Sequence, residues 1–178
     1  MGGAGTEAEP VRAALDAARA AHRALLDAGS TAASAESLTG GMIGAHLTSV
    51  PGSSTTYRGG AVTYATDTKA SVLGVPEGLL AEHGAVHPEV AAHMARGVRR
   101  LVGADYGVAV TGVAGPEPQD GQPVGTVYVA VAGPDSHTWV RRFCFTGDRA
   151  GIRLDTVAGA LALLRTAVRG DATPDTRA

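Results

Sequence analysis

Ser37, Tyr64 and Lys69 are side chains whose types suit acyl transfer. A serine supplies the nucleophile, a lysine the base and a tyrosine a relay between them. Lys69 stands out by composition: of the 15 Lys and Arg residues it is the only lysine, and every other one is arginine. A guanidinium stays protonated in any protein setting, whereas a desolvated ammonium can lose its proton near neutral pH and act as a base. The plainer reading, an exposed surface lysine, fits most lysines taken alone, because perturbed bases concentrate in active sites.

Ser37 opens the turn Ser37-Leu38-Thr39-Gly40-Gly41, set between a strand and a helix. The serine has the makings of a helix cap. It equally suits a nucleophile, with the N–H groups of Thr39, Gly40 and Gly41 expected free at the helix start to hold an oxyanion or a phosphate. The turn is no Walker loop, since no Gly-Lys-Thr or Gly-Lys-Ser follows, and no Gly-x-Ser-x-Gly elbow. Tyr64 is expected to end a strand and Lys69 to lie one turn into the next helix, which would aim both into one pocket. A second glycine-rich exit, Thr111-Gly112-Val113-Ala114-Gly115-Pro116, could cradle an anion or a flat ring, so Thr111, Gly112 and Gly115 join the candidates. Arg149, in Thr146-Gly147-Asp148-Arg149, is a candidate phosphate clamp at a helix start, with Asp148 as its cap and Arg153 one turn on. His83, His87 and His93 are broken up by Gly84 and Pro88 and lack a fourth zinc ligand, so no metal is expected.

Positioning these groups takes alternating helices and strands. The spacing predicts an amphipathic helix from Pro10 to Gly29 with Val11, Leu15, Ala18, His22 and Leu25 on one face, and a buried strand over 31–36. A helix follows over Met42–Leu47, then a strand over Gly60–Thr66 and a short helix near Asp67, capped by Asp67 or Thr66. Another helix spans Pro76–His83, and a longer one opens at Pro88 with Val90, Met94, Val98 and Leu101 on one face. Strands are expected over 105–111, Gly125–Ala132 and His137–Phe145, the last two as an antiparallel pair, and a final helix over Arg149–Val168. The order predicts one α/β domain over residues 10–168: three layers, helices on both faces of a mixed, mainly parallel sheet, with sites at strand ends. Residues 1–9 and 169–178 are expected to be disordered.

Composition narrows the function classes. A chain of 178 residues, 44% hydrophobic and 18% charged, suits a single globular core. A net charge of −2 without a basic stripe argues against nucleic-acid binding. No uncharged apolar stretch reaches the roughly 18 residues a membrane helix needs, and the N-terminus is no signal peptide, so a cytoplasmic protein is expected. Cys144 is the only cysteine and reads, within Phe143-Cys144-Phe145, as a buried small hydrophobe.

The ordered set Ala35-Glu36-Ser37-Leu38-Thr39-Gly40-Gly41, Pro51-Gly52-Ser53-Ser54, Gly59-Gly60-Ala61-Val62-Thr63-Tyr64 with Lys69, Leu73-Gly74-Val75 and His83-Gly84-Ala85-Val86 resembles the CinA C-terminal domain family. Thr111 to Pro116, Pro123-Val124-Gly125-Thr126-Val127 and Phe145 to Arg149 extend the match to about residues 10–168. The resemblance implies a three-layer α/β/α domain in stand-alone form. It also implies an amidohydrolase that converts nicotinamide mononucleotide to nicotinate mononucleotide and ammonia, in pyridine nucleotide salvage, with Ser37, Tyr64 and Lys69 as its catalytic set. The partner expected is a small nucleotide, with no cofactor, and the assembly a homo-oligomer, a dimer as first guess. Leu38 stands where the family usually has cysteine, Ala65-Thr66 where it often has Ser-Asn, His87 where it often has serine, and 117–121 replaces paired glycines. Two alternatives stay open: a non-catalytic nucleotide-binding or regulatory domain, and a serine amidohydrolase with another substrate.

Overall fold

The computed structural model describes residues 8–171 and 176–177. Its sheet has six strands in the order β2-β1-β3-β4-β5-β6. These are β1 (Ala32–Glu36), β2 (Tyr57–Val62), β3 (Tyr106–Gly112), β4 (Thr126–Ala132), β5 (His137–Cys144) and β6 (Thr176–Arg177). The ladders joining β1 to β2 and to β3 are parallel, and the remaining three are antiparallel. The α/β domain with a mixed sheet is as expected; antiparallel ladders outnumber parallel ones three to two where a mainly parallel sheet was expected, because the β4–β5 hairpin extends the half built by crossovers.

Helices cover both faces. On one lie α1 (Ala8–Ala28), α2 (Met42–Thr48) and α6 (Arg149–Arg169); on the other lie α3 (Thr66–Leu73), α4 (Glu77–His83) and α5 (Pro88–Val102). Every residue of β1 and β4 is buried, as covered strands require, and alternating residues feed two separate cores. Ile152, Val157, Leu161 and Leu164 of α6 meet Val108, Val110 and Val129 in one core; Val90, Met94 and Val98 of α5 meet Ala33, Ala35 and Ala109 in the other. With few aromatics, that second core fills by close approach. A Cβ on Gly107 would collide with Ala95 O, so this glycine sets how near α5 comes to β3.

Several boundaries differ from expectation for local reasons. Helix α1 starts at Ala8, and its buried face is Ala14, Ala18, Ala21 and Leu25, which leaves Val11 exposed. The small face lets α1 lie against α6, and His22 stays buried by bonding Thr56 Oγ1 at 2.7 Å. Leu101 is exposed, and Val102 packs against the core in its place, so the buried face of α5 continues from Val98 to Val102. Strand β2 spans Tyr57–Val62, so Tyr64 lies beyond it, and α3 begins after Ala65, with neither Thr66 nor Asp67 supplying a side-chain cap. Cys144 is exposed: Phe143 and Phe145 take the α6 face, and nothing among the described residues covers the opposite one at that end of β5. At the C-terminus Thr176–Arg177 pair with β5, where disorder was expected; the same expectation for 1–7, 172–175 and 178 falls outside the described residues.

Candidate active site

Parallel pairing brings the carboxyl ends of β1, β2 and β3 to one side of the sheet. The chain leaving β1 crosses to β2, and the chain leaving β3 turns the other way to β4, which opens a crevice between the two exits. A cavity of about 100 Å³ lies there. Ser37 and Leu38 line it from the β1 exit, Tyr64 and Lys69 from the β2 exit, and Thr111 to Gly115 from β3, with Ala85, Val86, Glu117, Gln119 and Arg149 around them.

Lys69 is 1% exposed and among the largest fully buried side chains of the domain. Helix α3 turns it inward, and its Nζ meets three oxygens: Thr63 O at 2.7 Å, Tyr64 O at 3.3 Å and Ser37 Oγ at 3.1 Å. Carbonyl oxygens can only accept, so two N–H bonds are committed to Thr63 and Tyr64. The remaining tetrahedral position faces Ser37. It holds a third N–H when the amine is charged, and a lone pair able to take the serine proton when it is neutral. Burial pushes the Lys69 pKa from 10.5 to about 8, while the carboxylates of Asp120 and, less, Asp67 pull the other way. Burial thus eases the loss of the Lys69 proton beside the hydroxyl of Ser37, a residue only 9% exposed, an arrangement with the parts for a base and a serine nucleophile.

The turn after Ser37 is held differently from expectation. Gly40 N–H donates to Ser37 O, and Gly41 N–H donates to Glu36 Oε2 at 3.0 Å, so neither is free. The Glu36 carboxylate, 2% exposed, also receives Ile43 N–H at 3.0 Å, Gly44 N–H at 2.9 Å and Thr39 Oγ1 at 2.7 Å. It fills the start of α2, so that end of the helix has no room for a substrate anion. The N–H groups of Leu38 and Thr39 keep no partner among the described residues. Of the three N–H groups expected to be free, those of Gly40 and Gly41 are therefore spent, while that of Thr39 is not; Leu38 N–H, outside the expectation, is unspent too. Arg153 is no anion clamp either: Nε donates to Leu38 O at 2.9 Å and Nη2 to Thr39 O at 3.1 Å, tying the turn to α6.

The Tyr64 hydroxyl points away from the buried pair. Its side chain is exposed, and the hydroxyl accepts from Arg149 Nη2 at 2.8 Å, while Arg149 Nη1 donates to Gly115 O at 2.6 Å. The structure therefore joins Ser37 to Lys69 directly, with no tyrosine between them, and gathers Tyr64, Arg149 and Gly115 at the cavity mouth. Thr111 is buried, with Oγ1 donating to Ala85 O at 2.7 Å, and braces the wall beside Gly112. Asp148 caps α6 through Gly151 N–H at 2.8 Å, as expected. His83 and His87 stack at 4.4 Å, and among the described residues no group of three His, Cys, Asp or Glu side chains could hold a metal ion. No helix there is long and apolar enough to cross a membrane.

The fold and crevice define an α/β domain with a buried lysine–serine pair where the parallel strands end. The chain belongs to the CinA C-terminal domain family, which it matches over residues 15–168. It is 53% identical over 146 residues to a CinA-like protein of Frankia casuarinae, an alignment covering 82% of this chain and 34% of that protein. A putative competence-damage inducible protein of Desulforamulus reducens is 47% identical over 146 residues, 82% of this chain and 35% of that protein. The chain thus spans about a third of the length of these curated relatives. Among solved structures, the competence/damage inducible protein CihA of Agrobacterium tumefaciens superposes with a TM-score of 0.83 at 35% identity, covering 88% of this chain and 96% of that one. The competence damage-inducible protein A of Klebsiella pneumoniae gives 0.84 at 36% identity, covering 88% and 97%.

Proposed function

We propose that the domain hydrolyses the carboxamide of nicotinamide mononucleotide to nicotinate mononucleotide and ammonia. The observation that carries this reading is the Lys69 Nζ–Ser37 Oγ contact of 3.1 Å at the base of the crevice, made by an amine whose other two partners are carbonyls. Neutral Lys69 takes the Ser37 proton as Oγ bonds to the carboxamide carbon. The oxygen of the tetrahedral intermediate receives the N–H groups of Leu38 and Thr39, the two donors the turn leaves unspent. The C–N bond then breaks, and the amide nitrogen leaves as ammonia with the proton Lys69 returns. Water, deprotonated by the same amine, attacks the ester and frees the carboxylate product and Ser37. The positively charged pyridinium ring withdraws electrons from its own carboxamide, which lowers the demand on the protein.

Tyr64 and Arg149 bind rather than relay protons in this reading. The Tyr64 ring offers a flat face at the mouth, and Arg149 retains N–H donors beyond the two spent on Gly115 and Tyr64. Arg149→Ala is expected to raise KM for the mononucleotide roughly tenfold, the worth of a charge-assisted hydrogen bond, with little change in kcat. Steady-state kinetics on mononucleotide and unphosphorylated riboside check it: an equal effect on both rules out a phosphate contact.

The proposal is tested by ammonia release from nicotinamide mononucleotide together with mass spectrometry of rapidly quenched enzyme. A nicotinoyl nucleotide adduct on the peptide carrying Ser37 is expected. No release, or an adduct on another residue, removes the assignment.

A further inference from the structure

Ala85 and Val86 form part of the crevice wall, yet they belong to no helix or strand. Both of their N–H groups donate to a single atom, Asp120 Oδ2, at 2.7 and 3.1 Å. Asp120 comes from a different segment, the tip of a hairpin closed by Gln119 N–H to Gln122 O at 3.1 Å and Gln122 N–H to Gln119 O at 2.8 Å. Asp120 and Gly121 have φ of 51° and 71°, the paired left-handed conformation that Asp-Gly favours in two-residue turns. The approach depends on Gly84, where any Cβ would overlap the Asp120 carboxyl group. Two chain segments with no ladder between them therefore meet through one carboxylate.

We propose that Asp120 is a positioning residue of this site: its carboxylate locks the 119–122 hairpin onto the Gly84–Val86 turn and so sets the width of the pocket that receives the substrate. The inference rests on the amidase reading above for its kinetic consequences, but not for the lock itself. Asp120 makes no hydrogen bond to Ser37 or Lys69; it acts through the wall it holds and through its charge. The charged and titratable groups around Lys69 are Asp67 on its own helix, Asp120 on the hairpin, Glu117 in the same loop, Arg149 on α6 and the Tyr64 hydroxyl at the mouth. Of the two carboxylates that favour the ammonium, Asp120 has the stronger pull. Removing its charge lets Lys69 release its proton at lower pH.

Two substitutions separate the lock from the charge. Asp120→Ala removes both; Asp120→Asn keeps an oxygen that can accept from Ala85 and Val86 and removes the charge. In Asp120→Ala, hydrogen exchange at the Ala85 and Val86 amides is expected to quicken at least tenfold, the worth of a hydrogen bond to a charged acceptor, and KM to rise by about the same factor. The limiting kcat at high pH should fall far less. In Asp120→Asn, exchange protection and KM should stay within roughly threefold of the parent, while the acid limb of kcat moves to lower pH. Unchanged amide exchange in Asp120→Ala, equal losses in both variants, or a fall in kcat with KM unmoved would each overturn the proposal. If the parent protein releases no ammonia, the amidase reading fails alone, and exchange at Ala85 and Val86 still decides the lock. If Asp120→Ala does not fold, lost protection in Asp120→Asn is sufficient to reject it.

Discussion

Lys69→Met is expected to lower kcat for amide hydrolysis on the order of 10³-fold or more, the contribution of a positioned general base acting on a serine, and at the same time to raise the melting temperature at neutral pH. The activity loss follows from the lone pair: methionine fills a similar volume but has nothing to accept the Ser37 proton. Ser37→Ala should lose as much, and the double variant little more, because the two side chains act as one unit. The stability gain follows from burial. A lysine held at about 8 instead of 10.5 must take on its charge inside the protein, a penalty on the order of 3 kcal/mol at neutral pH. Part of that is offset in the variant by the lost bonds to Thr63 O and Tyr64 O.

The pH dependence fixes the cause. Between about 8 and 10.5 the unfolded chain holds a proton that folded Lys69 has given up, so stability rises with pH across that window. Below about 8 both states are protonated and the penalty is complete. The melting-temperature advantage of Lys69→Met should therefore be largest below that pH and shrink as pH approaches 10.5. Activity of the parent should climb about tenfold per pH unit while Lys69 is mostly charged, then level off above about 8. Paired thermal melts and rate–pH profiles measure both. A variant with near-parental turnover, or one less stable than the parent at pH 6 and equal at pH 10, contradicts the role given to this amine.

What the sequence discloses about this site follows from what each residue depends on. Lys69 was legible because an otherwise complete preference for arginine gave way once, at a position where a removable proton is useful. Ser37 was legible because glycines follow it at the junction of a strand and a helix. The direction of the Tyr64 hydroxyl was not, since it depends on Arg149, far along the chain and delivered by α6. Phe-Cys-Phe alternates like a buried strand, but only the face carrying Phe143 and Phe145 is packed at that end of β5, so Cys144 is exposed. Val11 and Leu101 are exposed because helical spacing identifies a face but not its edge: Ala14 and Val102 pack on the cores instead. The role of Glu36 is not legible because a carboxylate ending an apolar strand carries no pattern of its own; the Gly40-Gly41 pair beyond it is the available signal, but its N–H groups are already committed, Gly41 to this carboxylate and Gly40 to Ser37 O.

That commitment makes Glu36 the structural counterpart of Lys69. Helix α2 has seven residues and receives no cap from Gly41, whose φ of 101° demands glycine. So short a helix is not stable alone. Its first N–H groups converge instead on one carboxylate, which also holds Thr39 Oγ1. A negative charge at a helix start is favourable, and bonds to a charged acceptor are strong. Glu36→Ala would leave three N–H groups and the hydroxyls of Thr39 and Ser34 without this acceptor in a buried space. The expected loss is about 3–5 kcal/mol, or roughly 10 °C in melting temperature for a domain of this size. Glu36→Gln should fall between the two, because an amide oxygen can serve some of the donors while its NH2 opposes the rest. The turn that carries Ser37 begins at the next residue, so the alanine variant should also lose acylation even where it remains folded. Thermal denaturation and adduct formation on Ser37 check both effects. A shift of under about 3 °C in Glu36→Ala, near the effect of 1 kcal/mol, would mean that Arg153 and the surrounding core, not this carboxylate, hold the Ser37 turn in place.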